Sequence, residues 1–67
     1  MIRSYLAQRL YEHDMKLVEL AEATGLSKGA LSDLYHNMAD EVNLDVLNKI
    51  CTHLEIDVAD VLSLEKE

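Results

Sequence analysis

The sequence predicts an all-α fold: a single domain of five helices spanning residues 1–67. Three observations support this fold class. Proline, tryptophan and phenylalanine are absent and tyrosine is the only aromatic residue, a composition that favours helices over the short strands of a β-sandwich or barrel. Apolar residues recur at helical spacing along most of the chain. Capping residues stand before most of the apolar segments, where helices begin.

The apolar spacing places the five helices. The first is expected at about Ile2–His13, because Ile2, Leu6 and Leu10 follow one another at intervals of four residues and form one apolar face. The same reasoning gives the other four helices at about Leu17–Ala23, Lys28–Tyr35, Leu44–Leu54 and Val58–Leu64.

Three of the predicted helix starts carry an N-cap residue, namely Ser27, Asn43 and Asp57. Each is flanked by a pair of apolar residues that can close a hydrophobic staple: Leu26 with Leu31, Val42 with Leu47, and Ile56 with Val61. At the second helix the cap position is Lys16, which has no acceptor, although Glu19 occupies the capping-box position. The second helix is therefore expected to have the weaker start.

The length of the chain favours binding over catalysis. A chain of 67 residues buries only about 60% of its unfolded surface, and an enclosed pocket of ~300 Å³ would hollow out such a core. We therefore predict no enzymatic activity. His13, His36 and His53 lack the spacing of a zinc site, so no metal or other cofactor is expected.

The chain is predicted to be cytoplasmic. Its single cysteine, Cys51, cannot form an internal disulfide and continues an apolar helical stripe. No secretory signal is recognisable, and no apolar stretch approaches the ~20 residues that cross a bilayer, so no membrane partner is expected.

The charge is unevenly distributed. The formal net charge is −7, the wrong sign for a ligand that is a polyanion. Residues 1–36 carry four basic and five acidic side chains, whereas residues 37–67 carry two basic and eight acidic ones. A surface for nucleic acid is thus possible only on the first half of the chain.

The segment from Leu17 to Tyr35 has the residue types of a helix-turn-helix. Ala21 is small where two helices would cross, and Gly25 follows the first of them, where the backbone must turn left-handed. Inward-pointing aliphatic residues from both helices would fix their angle: Leu20, Leu26, Leu31 and Leu34.

With this motif the chain resembles the Cro/repressor-type (lambda-repressor-like, XRE-like) helix-turn-helix family over essentially its whole length. Residues 43–64 are similar to the fourth and fifth helices of the family. The resemblance implies a five-helix bundle that binds double-stranded DNA sequence-specifically as a bacterial or phage transcriptional regulator, often as a homodimer.

The resemblance also implies which residues meet DNA. The third helix would enter the major groove with its leading residues at the base edges, presenting Ser27, Lys28, Gly29, Ser32 and Asp33. Lys16 and Leu17, at the start of the second helix, and Asn37, after the third, complete the expected contact set.

Departures from the family pattern leave a second function open. Basic residues usually follow the third helix in this family, whereas this chain has Asp40 and Glu41, which predicts weak DNA binding that is lost early as salt rises. The alternative is a protein-interaction module on the same fold, an antirepressor or antitoxin-like protein with a basic protein partner.

The last predicted helix is apolar on more than one side, which predicts a homodimer interface. The residues expected there are Val58, Val61, Leu62 and Leu64.

Overall fold

A computed structural model describes residues 1–65. Five helices are present, as predicted: α1 (Leu6–Glu12), α2 (Leu17–Thr24), α3 (Lys28–Tyr35), α4 (Leu44–Leu54) and α5 (Val58–Val61). The structure also contains two short strands, β1 (Ile2–Ser4) before α1 and β2 (Leu62–Leu64) after α5. Within the described residues, no helix has the length and apolarity needed to cross a membrane.

The prediction of an all-α fold is wrong at both ends of the chain. The first helix begins at Leu6 and the last ends at Val61, because the flanking residues pair as an antiparallel ribbon with Ile2 opposite Leu64. The Tyr5 N–H donates to the Val61 carbonyl at 2.7 Å. Ile2 and Ser4 lie on one face of β1, as Leu62 and Leu64 lie on one face of β2. Pairing the two segments also satisfies backbone groups that a frayed terminal turn would leave to water.

One aliphatic core holds the helices together. On α1, α3 and α4 its residues recur every three or four positions, which turns them to the same side, and α2 contributes two adjacent residues. They are Leu6, Leu10, Leu20, Ala21, Leu31, Leu34, Leu47, Ile50, Leu54 and Val61. Burying one such Leu, Ile or Val side chain contributes roughly 1.5–3 kcal/mol, so packing of these faces, and not helix propensity, stabilises the short helices.

The helix starts largely follow the sequence. Ser27 Oγ accepts from the Ala30 N–H at 3.2 Å, and Asn43 Oδ1 accepts from the Val46 N–H at 2.9 Å. Asp57 stands at the N-cap of α5 as predicted, but the bond there runs the other way, from the Asp57 N–H to the Asp60 carboxylate at 3.0 Å. Lys16 likewise donates its backbone N–H to the Glu19 carboxylate at 3.0 Å. Glu19 thus partly replaces the missing cap of α2.

Candidate DNA-binding surface

α2 and α3 form a helix-turn-helix. Gly25 closes α2 with a φ of 74°, and its N–H donates to the Ala21 carbonyl at 2.9 Å. Ala21 is buried in the core to which both helices contribute, and Leu26 in the turn packs against that core. The small residue, the glycine and the inward leucines therefore have the structural roles that the sequence predicted.

The outer face of α3 is open to solvent. Ser27, Lys28, Gly29 and Asp33 are exposed and Ser32 is half-buried, whereas Leu31 and Leu34 hold the inner face in the core. The structure thus brings together five of the eight residues predicted to meet DNA. Ala30, which was not among the residues predicted to meet DNA, is also exposed and lines a cleft beside Asp33.

Gly29 has no role in packing. A Cβ atom built at this residue would meet no heavy atom within 4 Å. A glycine in a helix costs free energy relative to alanine, and here no neighbouring group of the described fold requires it. Its one evident property is that it leaves the backbone of the first turn of α3 uncovered.

Two lysines provide the positive charge near this surface. Lys28 begins α3, Lys16 precedes α2, and both are exposed. Among residues 1–65 the ion pairs are Arg9 with Glu12 at 2.8 Å and Lys49 with Asp45 at 3.1 Å. Neither Lys16 nor Lys28 is neutralised by a described carboxylate, so both charges are available to a ligand.

Two of the predicted contact residues have structural roles. Leu17 is half-buried and packs against the core. Asn37 ends α3 in a left-handed conformation, with a φ of 59°, and its Oδ1 accepts from the Ser4 N–H at 2.8 Å. The Asn37 amide oxygen is therefore engaged in joining α3 to β1.

Three carboxylates lie close to α3. Asp33, Asp40 and Glu41 are exposed and line one open cleft between α3 and the start of α4. The sequence placed Asp40 and Glu41 after α3, but only the fold shows that they share a surface with Asp33.

Cys51 is a packing residue. It lies half-buried on α4 against the core. Burial raises the pKa of the Cys51 thiol, and the carboxylates of Asp57 and Asp60 raise it further. The thiol therefore stays protonated at neutral pH, which suits a small core filler.

The four residues predicted as a dimer interface do not share one environment. Val61 is fully buried in the core of its own chain, so its side chain cannot reach a second copy. Leu62 is half-buried in β2, whereas Val58 and Leu64 are 48% and 62% exposed. Leu62 and Leu64 line a groove that Val58 does not reach.

Solved structures with a similar fold include a candidate DNA-binding protein and a transcriptional regulator. The chain matches a candidate DNA-binding protein from Bacteroides fragilis with a TM-score of 0.81 and 25% identity, over 94% of this chain and 100% of that one. It matches the transcriptional regulator VanUg with a TM-score of 0.80 and 34% identity, over 98% of this chain and 87% of that one. A search of curated proteins found no match.

A comparison with protein-family models agrees with these structural matches. Residues 5–67 match the model of the Cro/C1-type helix-turn-helix DNA-binding domain. The matched segment contains all five helices and begins one residue before α1. The chain belongs to the Cro/C1-type helix-turn-helix DNA-binding domain family.

Proposed function

We propose that this protein is a transcriptional regulator that binds double-stranded DNA sequence-specifically, with the N-terminal end of α3 in the major groove. The observation that carries the proposal is the open face of α3, where Lys28 is exposed without a described carboxylate partner and Gly29 leaves the backbone uncovered. The family and the regulator named among the structural matches support it.

Four polar residues of the helix-turn-helix have a defined chemical role in this proposal. Lys28 donates to O6 and N7 of a guanine or to a phosphate, and Ser32 bonds to either kind of group. Asp33 accepts from the amino group of a cytosine. Lys16, at the start of α2, contacts the DNA backbone and sets the register of α3.

The first prediction tests specificity and the role of Lys28. From a library of random 20-base-pair duplexes at low salt, the wild-type protein should enrich a defined sequence, read out by sequencing the bound DNA. Lys28→Gln should weaken binding to the enriched duplex, measured by fluorescence anisotropy, by about 1–3 kcal/mol for a base contact. Lys49→Gln removes the same charge from α4, where Lys49 pairs with Asp45, and should bind normally.

Three outcomes would reject the proposal. The library could remain unenriched, the protein could fail to bind any duplex at low salt, or the Lys28 and Lys49 variants could lose equal affinity. The last result would mean that net charge alone, and not the position of Lys28, controls binding.

A protein-interaction module is the second candidate function. The cleft that Asp33, Asp40 and Glu41 share favours it, because three exposed carboxylates lie together beside α3 and repel a polyanion. A basic protein partner recovered on the immobilised chain, with no DNA retained under the same conditions, would support this function over the first.

A further inference from the structure

An apolar groove lies between the β1–β2 ribbon and the loop of residues 36–43 that joins α3 to α4. We call it the ribbon groove. Its volume is about 370 Å³, and its apolar lining comprises Ile2, Leu34, Ala39, Val42, Leu62 and Leu64. A volume of this size lies within the range of ligand-binding sites.

The ribbon itself leaves apolar surface uncovered at this groove. Ile2 and Leu64 are opposite each other across the ribbon and therefore share one of its faces. They remain 60% and 62% exposed. More than half of the surface of each of these two aliphatic residues is therefore open to solvent beside the groove.

The edge of the ribbon groove is acidic. Asp40 and Glu41 belong to its lining and are exposed. Neither takes part in the ion pairs formed within residues 1–65, which join Arg9 to Glu12 and Lys49 to Asp45. The groove therefore combines an aliphatic floor with two negative charges at its rim.

These two properties select the kind of occupant. A second copy of the chain would bring a net charge of −7 and its own acidic rim against this one, and like charges brought together at an interface oppose association. A basic segment with aliphatic side chains would bind favourably in two ways, because its apolar groups would cover the aliphatic floor and its cations would lie beside the acidic rim. We infer that the ribbon groove is a docking site for a basic peptide segment of another protein, anchored by one or two aliphatic side chains.

The inference does not require α3 to bind DNA, so the test is carried out without DNA. The probe is a fluorescein-labelled peptide in which three lysines alternate with two leucines. It should bind the wild-type protein saturably, with a Kd of roughly 10–300 µM, as expected for a contact area well below that of a stable protein interface. Two comparison peptides, with glutamate in place of lysine or serine in place of leucine, should not bind in that range.

Two protein variants and one charge-matched control variant locate the site. Asp40→Asn combined with Glu41→Gln should weaken peptide binding about three- to tenfold, because each rim charge contributes only modestly in water. Glu22→Gln combined with Glu55→Gln changes the net charge equally at exposed carboxylates outside the groove and should leave the Kd unchanged. Leu64→Ser should also weaken binding, and because Leu64 is mostly exposed the variant should melt close to the wild type by circular dichroism.

Amide chemical shifts of the ¹⁵N-labelled protein provide a direct map. Shifts at Ile2, Val42 and Leu64 on addition of the lysine-leucine peptide would support the inference. Shifts confined to other residues, equal binding of the glutamate peptide, or indifference to the Asp40 and Glu41 substitutions would each overturn it. A dimer detected by sedimentation would also overturn it if the amide chemical shifts of the same residues change as the dimer forms, because the occupant would then be a second copy.

Discussion

At the scale of single residues, Gly29 is the most informative position in the molecule. Glycine weakens a helix because it loses more backbone conformational entropy on folding than alanine does. At this position no neighbouring atom would contact an added Cβ. The fold therefore gains nothing from this glycine. Under the proposed function, close approach of DNA to α3 gives a physical reason for a residue without a side chain at the exposed start of the helix.

The second prediction is that replacing Gly29 affects the stability of the fold and the affinity for DNA in opposite directions. Gly29→Ala should raise the free energy of unfolding by about 0.5 kcal/mol and, under the proposed function, should lower DNA affinity. Chemical denaturation and fluorescence anisotropy measure the two effects separately. Ala23→Gly, at an exposed position in α2, is the reverse change away from α3 and should destabilise without a specific loss of affinity. A more stable Gly29→Ala protein that binds DNA normally would show that the duplex does not approach this residue.

At the scale of secondary structure elements, the end of α3 is fixed by Asn37. The Met38 N–H donates to the Asp33 carbonyl at 2.8 Å and the Asn37 N–H to the Leu34 carbonyl at 3.2 Å, the paired bonds of a Schellman motif. Asn37 occupies the left-handed position, which asparagine tolerates better than most residues. Its side chain then bonds the β1 backbone, so one residue both ends the helix and attaches the ribbon.

The third prediction separates this structural role from the DNA contact expected at the same residue. Asn37→Ala should lower the free energy of unfolding by about 1–2 kcal/mol, since it removes the bond to Ser4 and replaces asparagine with a residue that tolerates the left-handed conformation less well. Asn37→Gly loses the same bond but relieves the backbone, so it should cost less than Asn37→Ala in denaturant titrations. If both variants unfold like the wild type and lose DNA affinity, Asn37 is a contact residue and not a joint between elements.

The elements also show what could be predicted from the sequence. The five helices and the helix-turn-helix were predictable because periodic leucines, Gly25 and the caps Ser27 and Asn43 are local signals. The ribbon was not, because Ile2 and Leu64 lie at opposite ends of the chain and only tertiary packing brings them together. Ile2 with Leu6 also fits a helical repeat, so the spacing alone could not distinguish a strand from a first turn.

The candidate site was predictable to a similar degree. The exposed residues of α3 follow from the buried Leu31 and Leu34, since the opposite face of a short helix must point outward. The structural role of Asn37 and the burial of Val61 depend on partners distant in sequence, Ser4 for the first and the assembled core for the second. Local patterns contain no information on such contacts.

At the scale of the whole molecule, the distribution of charge decides how tightly a polyanion can be held. Lys16 and Lys28 are exposed near the helix-turn-helix, but Asp33, Asp40 and Glu41 line the adjoining cleft. A duplex in contact with α3 would thus experience attraction and repulsion on neighbouring parts of the surface. Salt screens both, with a Debye length of about 10 Å at 0.1 M, so the observed salt dependence should be shallower than the lysines alone would give.

The last prediction follows from this balance. Asp40→Asn combined with Glu41→Gln should strengthen DNA binding about three- to tenfold at 50 mM salt, because it removes repulsion between these carboxylates and the phosphates. The gain should shrink towards 200 mM salt as screening increases. The double variant Glu22→Gln with Glu55→Gln has the same net charge and should gain less DNA affinity if the position of the carboxylates matters. Anisotropy titrations at both salt concentrations compare the two double variants. Equal gains in the two double variants would mean that only the total charge of the chain opposes binding, whereas no gain in either would place the duplex away from the loop between α3 and α4.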